Sequence, residues 1–220
     1  MTFLEAIKVR RSVRAYIDKP IGKEVIKKLD DYIKICNEES GLNIQLVTDE
    51  PKAFNCFLSH YGKFKGVKNY IAIVADKSKK TYEKIGYYGE KIVLFLQSLG
   101  LNTCWVALTY KKIPSVIKVS KNEKLHVVIS LGYGENQGVK RKSKRVKDVS
   151  DDCEHPSWFI KGVESSLLAP TAMNQQKFYF KRVGNLVSVK AGIGFYSKMD
   201  LGIVKLHFEI GAGKENFEWK

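Results

Sequence analysis

The sequence predicts an α+β fold in which helices pack against antiparallel-rich sheets. Three observations carry this expectation. Apolar residues recur at helical spacing from Lys23 to Ile35. Lys124-Leu125-His126-Val127-Val128-Ile129-Ser130-Leu131 reads as the strongest strand. Lys177–Val183 and Leu186–Ala191 form a hairpin pattern around Gly184-Asn185. Residues 1–150 and 151–220 each offer a helix, a polar motif, strands and a further helix. One domain built from two similar halves is therefore expected.

In chain order, Phe3–Val9 is a short amphipathic opening segment, followed by Arg10-Arg11-Ser12-Val13-Arg14-Ala15-Tyr16. Arginines three and four apart are expected on one face of a helix or of the first turn out of it. Pro20 keeps residues 16–21 extended as a loop. The Lys23–Ile35 helix is followed by Gly41, a usual stop signal. Asn43–Thr48 alternates apolar and polar residues as a half-buried strand does. Residues 50–66 are irregular, and their aromatics (Phe54, Phe57, Tyr61, Phe64) are expected to pack beneath a loop, with a lid or a pocket lining as the alternative. Asn69–Ala75 reads as a buried strand. Tyr82–Leu99 reads as a helix with a nearly all-apolar second half, ended by Gly100.

Asn102–Leu108 is a short apolar strand, and residues 113–119 a short helix or turn. After the 124–134 strand, Gly132, Gly134 and Gly138 lack the spacing of a dinucleotide fingerprint, and no helix pattern opens behind them. Lys140–Lys147 has no apolar face and is read as an extended basic arm. Pro156-Ser157-Trp158 opens a helix that runs towards Leu167-Leu168 and is broken by the amide-rich 169–176 segment. Asp200–Gly211 is a final amphipathic helix.

Composition narrows the function. The chain has 220 residues, 44% hydrophobic and 28% charged, which is ordinary globular composition. No apolar run approaches the ~18 residues of a membrane span. A signal peptide's apolar centre is absent from the first residues, so a cytoplasmic protein with no membrane partner is expected. Cys36, Cys56, Cys104 and Cys153 stand alone, as do the four histidines, so neither a metal site nor a dithiol is expected. The net charge of +15 raises nucleic-acid binding as a reading. That reading is disfavoured because the lysines are dispersed and helix-turn-helix, RNP and zinc spacings are missing.

Three places offer groups for an anionic, flat ligand. Guanidinium forks and the Ser12 hydroxyl in the first motif suit phosphate oxygens. Lys142-Ser143-Lys144 offers a second cationic cradle. Asn174 and Gln176 carry amides that present both polarities to a planar heterocycle. A phosphate joined to a flat polar ring describes a mononucleotide or a flavin mononucleotide.

These motifs, with Gly100-Leu101-Asn102-Thr103-Cys104-Trp105-Val106 and Leu131-Gly132-Tyr133-Gly134, resemble the FMN-dependent nitroreductase family over nearly the whole chain. The Asn-x-Gln motif lies past residue 170, as in a divergent subgroup of TM nitroreductase type whose single chain mimics the ordinary dimer. Lys177-Phe178 stands where the family has proline and tryptophan. The resemblance implies a nitroreductase-like fold and FMN as cofactor. It places Arg10, Ser12, Lys142 and Lys144 on the phosphate, with Arg11 acting through its backbone or flanking the ribityl chain. Arg14 falls nearer the pyrimidine, Asn174 and Gln176 at the ring edge, and the backbone of Ala107 and Leu108 near N5 and O4. It further implies NADH or NADPH as donor and a nitroaromatic, quinone or similar small-molecule acceptor. No protein nucleophile is implied, and the working form is a pseudo-dimeric monomer or a homodimer. A flavin- or nucleotide-binding protein without turnover remains the alternative.

Overall fold

The computed structural model describes residues 1–151 and 154–220, so Cys153 lies outside the described residues. The chain clusters into two compact units whose sequence ranges interleave. One holds Met1–Val9, Tyr82–Lys91 and Arg141–Lys220; the other holds Arg10–Thr81 and Ile92–Lys140.

The Arg10–Thr81/Ile92–Lys140 unit is built on a four-stranded antiparallel sheet. Its strands are β1 (Asn43–Val47), β2 (Asn69–Asp76), β3 (Asn102–Val106) and β4 (Glu123–Gly132), in the order β1-β2-β4-β3. β2 and β4 are central, and six consecutive residues of β2, Tyr70–Ala75, are buried on both faces. Helix α2 (Lys23–Ser40) packs on β1. It ends where Gly41 turns left-handed at φ 68°, its N–H bonding Asn37 O. Asn37 then ties the helix to the strand through both the N–H and the C=O of Ile44. Phe54 packs at 5.1 Å from Phe64 and 5.9 Å from Tyr70, ring centre to ring centre.

The 50–66 segment contains a five-residue helix, α3 (Phe57–Tyr61), that period analysis does not separate from loop. It splits the four aromatics: Phe54 and Phe64 enter the core, whereas Phe57 and Tyr61 face solvent. Residues 114–116, within the stretch expected as a short helix or turn, form a turn.

In the other unit, α5 (Ser157–Ser166) and α6 (Ser197–Ala212) pack face to face, with α1 (Phe3–Val9) against both. The sheet here is β5 (Phe178–Val183), β6 (Leu186–Ala191) and β7 (Glu218–Trp219). β5 and β6 form the expected hairpin, but β7 joins β6 in parallel. The sheets are thus antiparallel-rich as expected, with one two-residue parallel edge that carries no period to read. Phe159, Phe180, Phe208 and Phe217 interlock, with Phe180 stacked on Phe208 at 4.8 Å. The helix α4 (Thr81–Ser98) lends its first half to this unit. No helix of the described residues is long and apolar enough to cross a membrane.

Candidate functional site

The Arg10–Tyr16 segment is extended and not helical, which corrects the expected helical face. Its backbone is claimed from both sides. Val13 N donates to Thr103 O at 3.0 Å, and Ser12 bridges Thr103 in parallel. Tyr16 N donates to Lys65 O, and Lys65 N returns a bond to Arg14 O. Ile17 N and Glu135 N complete the exchange with Tyr133 O and Ala15 O. A buried strand of partners outweighs the local preference of a basic turn, because unpaired backbone groups are costly. The segment thus lies alongside β3.

The glycines that failed as a dinucleotide fingerprint have a different role. A Cβ on Gly138, whose φ is +73°, would sit 2.6 Å from Arg11 Cβ. One on Gly134 would sit 2.9 Å from Val13 Cγ1. The loop after β4 therefore closes on the arginine–serine segment more tightly than any side chain allows.

Within this segment the side chains divide. Arg10 is only 3% exposed, Ser12 is half-buried and Arg14 is exposed, with its guanidinium 5.9 Å from the Phe64 ring centre. The Arg10, Arg14 and Ser12 side chains surround Cys104. Burial pushes the Cys104 thiol up, and those three neighbours oppose it. Tyr16 anchors the segment's end, donating to Val13 O at 2.7 Å and meeting Ser130 Oγ at 2.9 Å. Burial likewise drives the Tyr16 phenol upward, so it remains a neutral donor. At the far end of β3 the ladder stops at Val106↔Val128. Ala107 and Leu108 follow in a bend outside the pairing, and Leu108 is 72% exposed.

In the other unit, Lys142, Lys144, Asn174 and Gln176 belong to one network. Asn174 Nδ2 donates to Lys142 O at 2.8 Å. Gln176 Oε1 accepts from Lys144 N at 2.8 Å, and its Nε2 donates to Leu167 O at 3.1 Å. Lys144 Nζ reaches back to Gln176 O at 2.8 Å. The arm is fixed further by Ser143 Oγ and the Arg141 guanidinium, which donate to Leu167 O and Leu168 O. Gln176 is 2% exposed with both amide ends engaged inside the protein. The expected ring-edge role does not suit it. Asn174 is exposed beside the arm.

The turn that carries these amides is strained. Met173, Asn174 and Gln176 have φ of 52°, 53° and 46°. The left-handed region costs a side-chain-bearing residue about 1–2 kcal/mol, least for Asn. Thr171 holds the turn by accepting Gln176 N on its hydroxyl and Asn174 N on its carbonyl. Asp200, at the start of α6, accepts Ala172 N at 3.0 Å and Gln175 Nε2 at 2.7 Å. Burial pushes the Asp200 carboxyl up to about 6, against those two donors. Lys177, the family's proline position, donates its ammonium to Ile193 O at 2.8 Å. The replacement thus ties the turn to the loop after β6.

Sequence reading did not find Asp200 as a partner of this turn, because no spacing links it to residue 172. It also read His207 only as a residue on a helix. His207 Nε2 meets Glu90 Oε1 at 2.9 Å and Nδ1 meets Ser165 O at 3.0 Å, all within one unit. Both side chains are fully buried.

The chain belongs to the nitroreductase family described as "Putative TM nitroreductase", whose model matches residues 2–212. It is similar to the structure of a nitroreductase from Thermotoga maritima at 24% identity. That match covers 98% of this chain and 85% of that one, with a TM-score of 0.71. It also resembles a nitroreductase in complex with FMN from Desulfovibrio desulfuricans (16% identity, 71% and 99% covered, TM-score 0.55). A third likeness is to an FMN-dependent nitroreductase from Clostridium difficile (24% identity, 69% and 97% covered, TM-score 0.50). At such identities the likeness is one of fold, and the α+β architecture is that of nitroreductases. No curated protein matches the chain.

Proposed function

We propose that the chain is an FMN-dependent oxidoreductase using NADH or NADPH to reduce a nitroaromatic, quinone or similar small acceptor. Family membership and the FMN named in two similar structures support this reading. The observation that carries it is the pairing of the arginine–serine segment with β3. Through the Ser12–Thr103 bridge, one edge holds both the arginine–serine side chains and, at its end, the Ala107–Leu108 bend. FMN, when bound, supplies two-electron chemistry by accepting a hydride and passing reducing equivalents on.

The residues fit an anionic, flat group on their own chemistry. Arg11 and Ser12, both half-buried, offer donors to phosphate and ribityl oxygens from a backbone that cannot shift without breaking its bridges, and Arg10, 3% exposed, would back them with its charge. Arg14, exposed, places positive charge where a reduced, anionic ring gains most. The N–H groups of Ala107 and Leu108, outside the ladder, are the donors for the N5 and O4 edge. In the other unit, Lys142 and Lys144 supply cations to the phosphate and Asn174 an exposed amide to the ring edge. Gln176 serves by holding the arm in place.

The test is reconstitution. Purified protein should be yellow with flavin absorbance, and NADH or NADPH should bleach it under anaerobic conditions. Ser12→Ala and Arg14→Ala should each weaken FMN binding by about tenfold, the loss of one charge-assisted or hydroxyl contact. Wild-type affinity in both variants would refute the assignment of the segment. Flavin that binds and stays oxidised would make the protein a binder without turnover.

A further inference from the structure

We propose that α3 forms an aromatic wall of the acceptor site, and that its rim selects planar aromatic acceptors carrying a negative charge. The inference rests on the reading that Ala107 and Leu108 face the flavin. It starts from an unexplained exposure. Phe57 and Tyr61 are 82% and 81% exposed, and four residues apart they share one face of α3. Large aromatics held in water on one face mark a place where something docks.

The exposure is not that of a loose loop. Ser59, fully buried, donates through its hydroxyl to Cys56 O at 2.7 Å and accepts Cys56 N at 3.1 Å. Phe64 N closes the helix onto Ser59 O at 2.9 Å. Glu50 accepts Lys52 N and Ala53 N, and Lys111 N donates to Ala53 O. The inner side of the segment is thereby fastened to the core, and the aromatic side is presented outward.

Its location fits the acceptor. A Cβ on Gly62, the residue closing α3, would lie 2.7 Å from Thr109 Oγ1 and 3.0 Å from the Phe64 ring. The end of α3 therefore abuts the bend that carries exposed Leu108. Charge decides which acceptor. Residues 51–65 and 107–116 contain Lys52, Lys63, Lys65, Lys111 and Lys112 and no carboxylate. Lys65 is paired with Glu135, while Lys52, Lys63, Lys111 and Lys112 are exposed. The nearby Glu50 is buried and spends its oxygens on backbone N–H groups. An aromatic face on a segment with an excess of exposed lysines attracts a flat anion and gives a neutral analogue only the stacking.

The experiment compares 4-nitrobenzoate with 4-nitrobenzamide in the FMN-loaded protein. Each nitro group takes two electrons and two protons to become nitroso and water, with NADPH giving the hydride. Turnover of the amide reports on the flavin reading alone. The carboxylate should show about tenfold higher kcat/KM in low salt, falling towards parity at 0.5 M salt as screening sets in. Lys63→Glu/Lys111→Glu/Lys112→Glu should erase the preference by lowering kcat/KM for the carboxylate far more than for the amide. Phe57→Ala/Tyr61→Ala should raise KM for both acceptors without altering FMN affinity. Equal kcat/KM in the wild type, or a preference that survives the triple reversal, would overturn the inference. Should neither acceptor turn over, ligand-observed NMR of 4-nitrobenzoate decides: binding lost in Phe57→Ala/Tyr61→Ala upholds the wall, and no binding overturns it.

Discussion

Replacing Gln176 by leucine isolates the buried amide that ties the basic arm to the turn. The side chains are close in size, so the buried volume is kept while the two shorter hydrogen bonds vanish, Lys144 N to Oε1 at 2.8 Å and Nε2 to Leu167 O at 3.1 Å, along with a long contact of Nε2 to Asn174 Oδ1 at 3.5 Å. Neither partner is left wholly unsatisfied. Leu167 O still accepts from Ser143 Oγ, and Lys144 is exposed enough for water to replace the lost acceptor. The loss is therefore that of two ordinary hydrogen bonds, about 2 kcal/mol in all. With a urea slope near 3 kcal/mol per molar, the unfolding midpoint should fall by roughly 0.7 M. Trp158 and Trp219 lie in the same unit as Gln176 and report its unfolding by fluorescence. The Lys144 amide should also exchange its hydrogen faster than in the wild type. FMN affinity should weaken, since the arm loses its tether. A normal midpoint with normal exchange at Lys144 would show that Gln176 does not hold the arm.

Two further outcomes follow from single residues in the same unit. Burial holds the Asp200 carboxyl at about 6, above the ordinary 3.8. The native state therefore binds this proton more tightly than the unfolded chain. The stabilisation is full below pH 4, declines as pH rises through 6, and totals about 3 kcal/mol for a shift of about two units. Asp200→Asn should flatten that slope in urea midpoints measured from pH 4 to pH 7, and an unchanged slope would refute the assignment. Gly202→Ala should be severe, because the new Cβ would fall 1.8 Å from Glu83 O and 2.7 Å from Tyr87 N. Forcing α6 away from α4 should cost about 3 kcal/mol or more, read as a fall in thermal midpoint; a midpoint within a degree or two of wild type would contradict the close approach.

Elements with long periods were legible. The α2 pattern, the β4 run and the β5–β6 hairpin needed only local residues, because burial of one face writes itself into spacing. The arginine–serine motif was legible as chemistry but not as conformation. Its extended shape is set by Thr103, Lys65 and Tyr133, distant partners in the sequence that no local pattern names. The left-handed turn at Met173, Asn174 and Gln176 was hidden for a related reason: methionine and glutamine give no sign of positive φ. The amide motif was found, yet its role changed, since residue type shows what Gln176 can bond but not that Lys144 and Leu167 reach it first. The aromatics of residues 50–66 were seen, but composition could not divide them into an inward and an outward pair.

The buried contact of Glu90 with His207 bears on how the chain finds its fold. The imidazole is held between Ser165 O and the Glu90 carboxyl, one ring nitrogen to each. Turning α6 by one residue would swing the ring about 100° away and strand an acid and a base among aromatic and aliphatic neighbours. Apolar faces such as those of α5 and α6 tolerate many near-equivalent dockings, differing by small sliding motions. The acid–imidazole contact does not, and Gly86 and Gly202 allow the close approach at only one height along the helices. Together they act as a keyed joint: most of the adhesion comes from greasy surface, while two polar side chains and two missing ones decide the single way in which it closes.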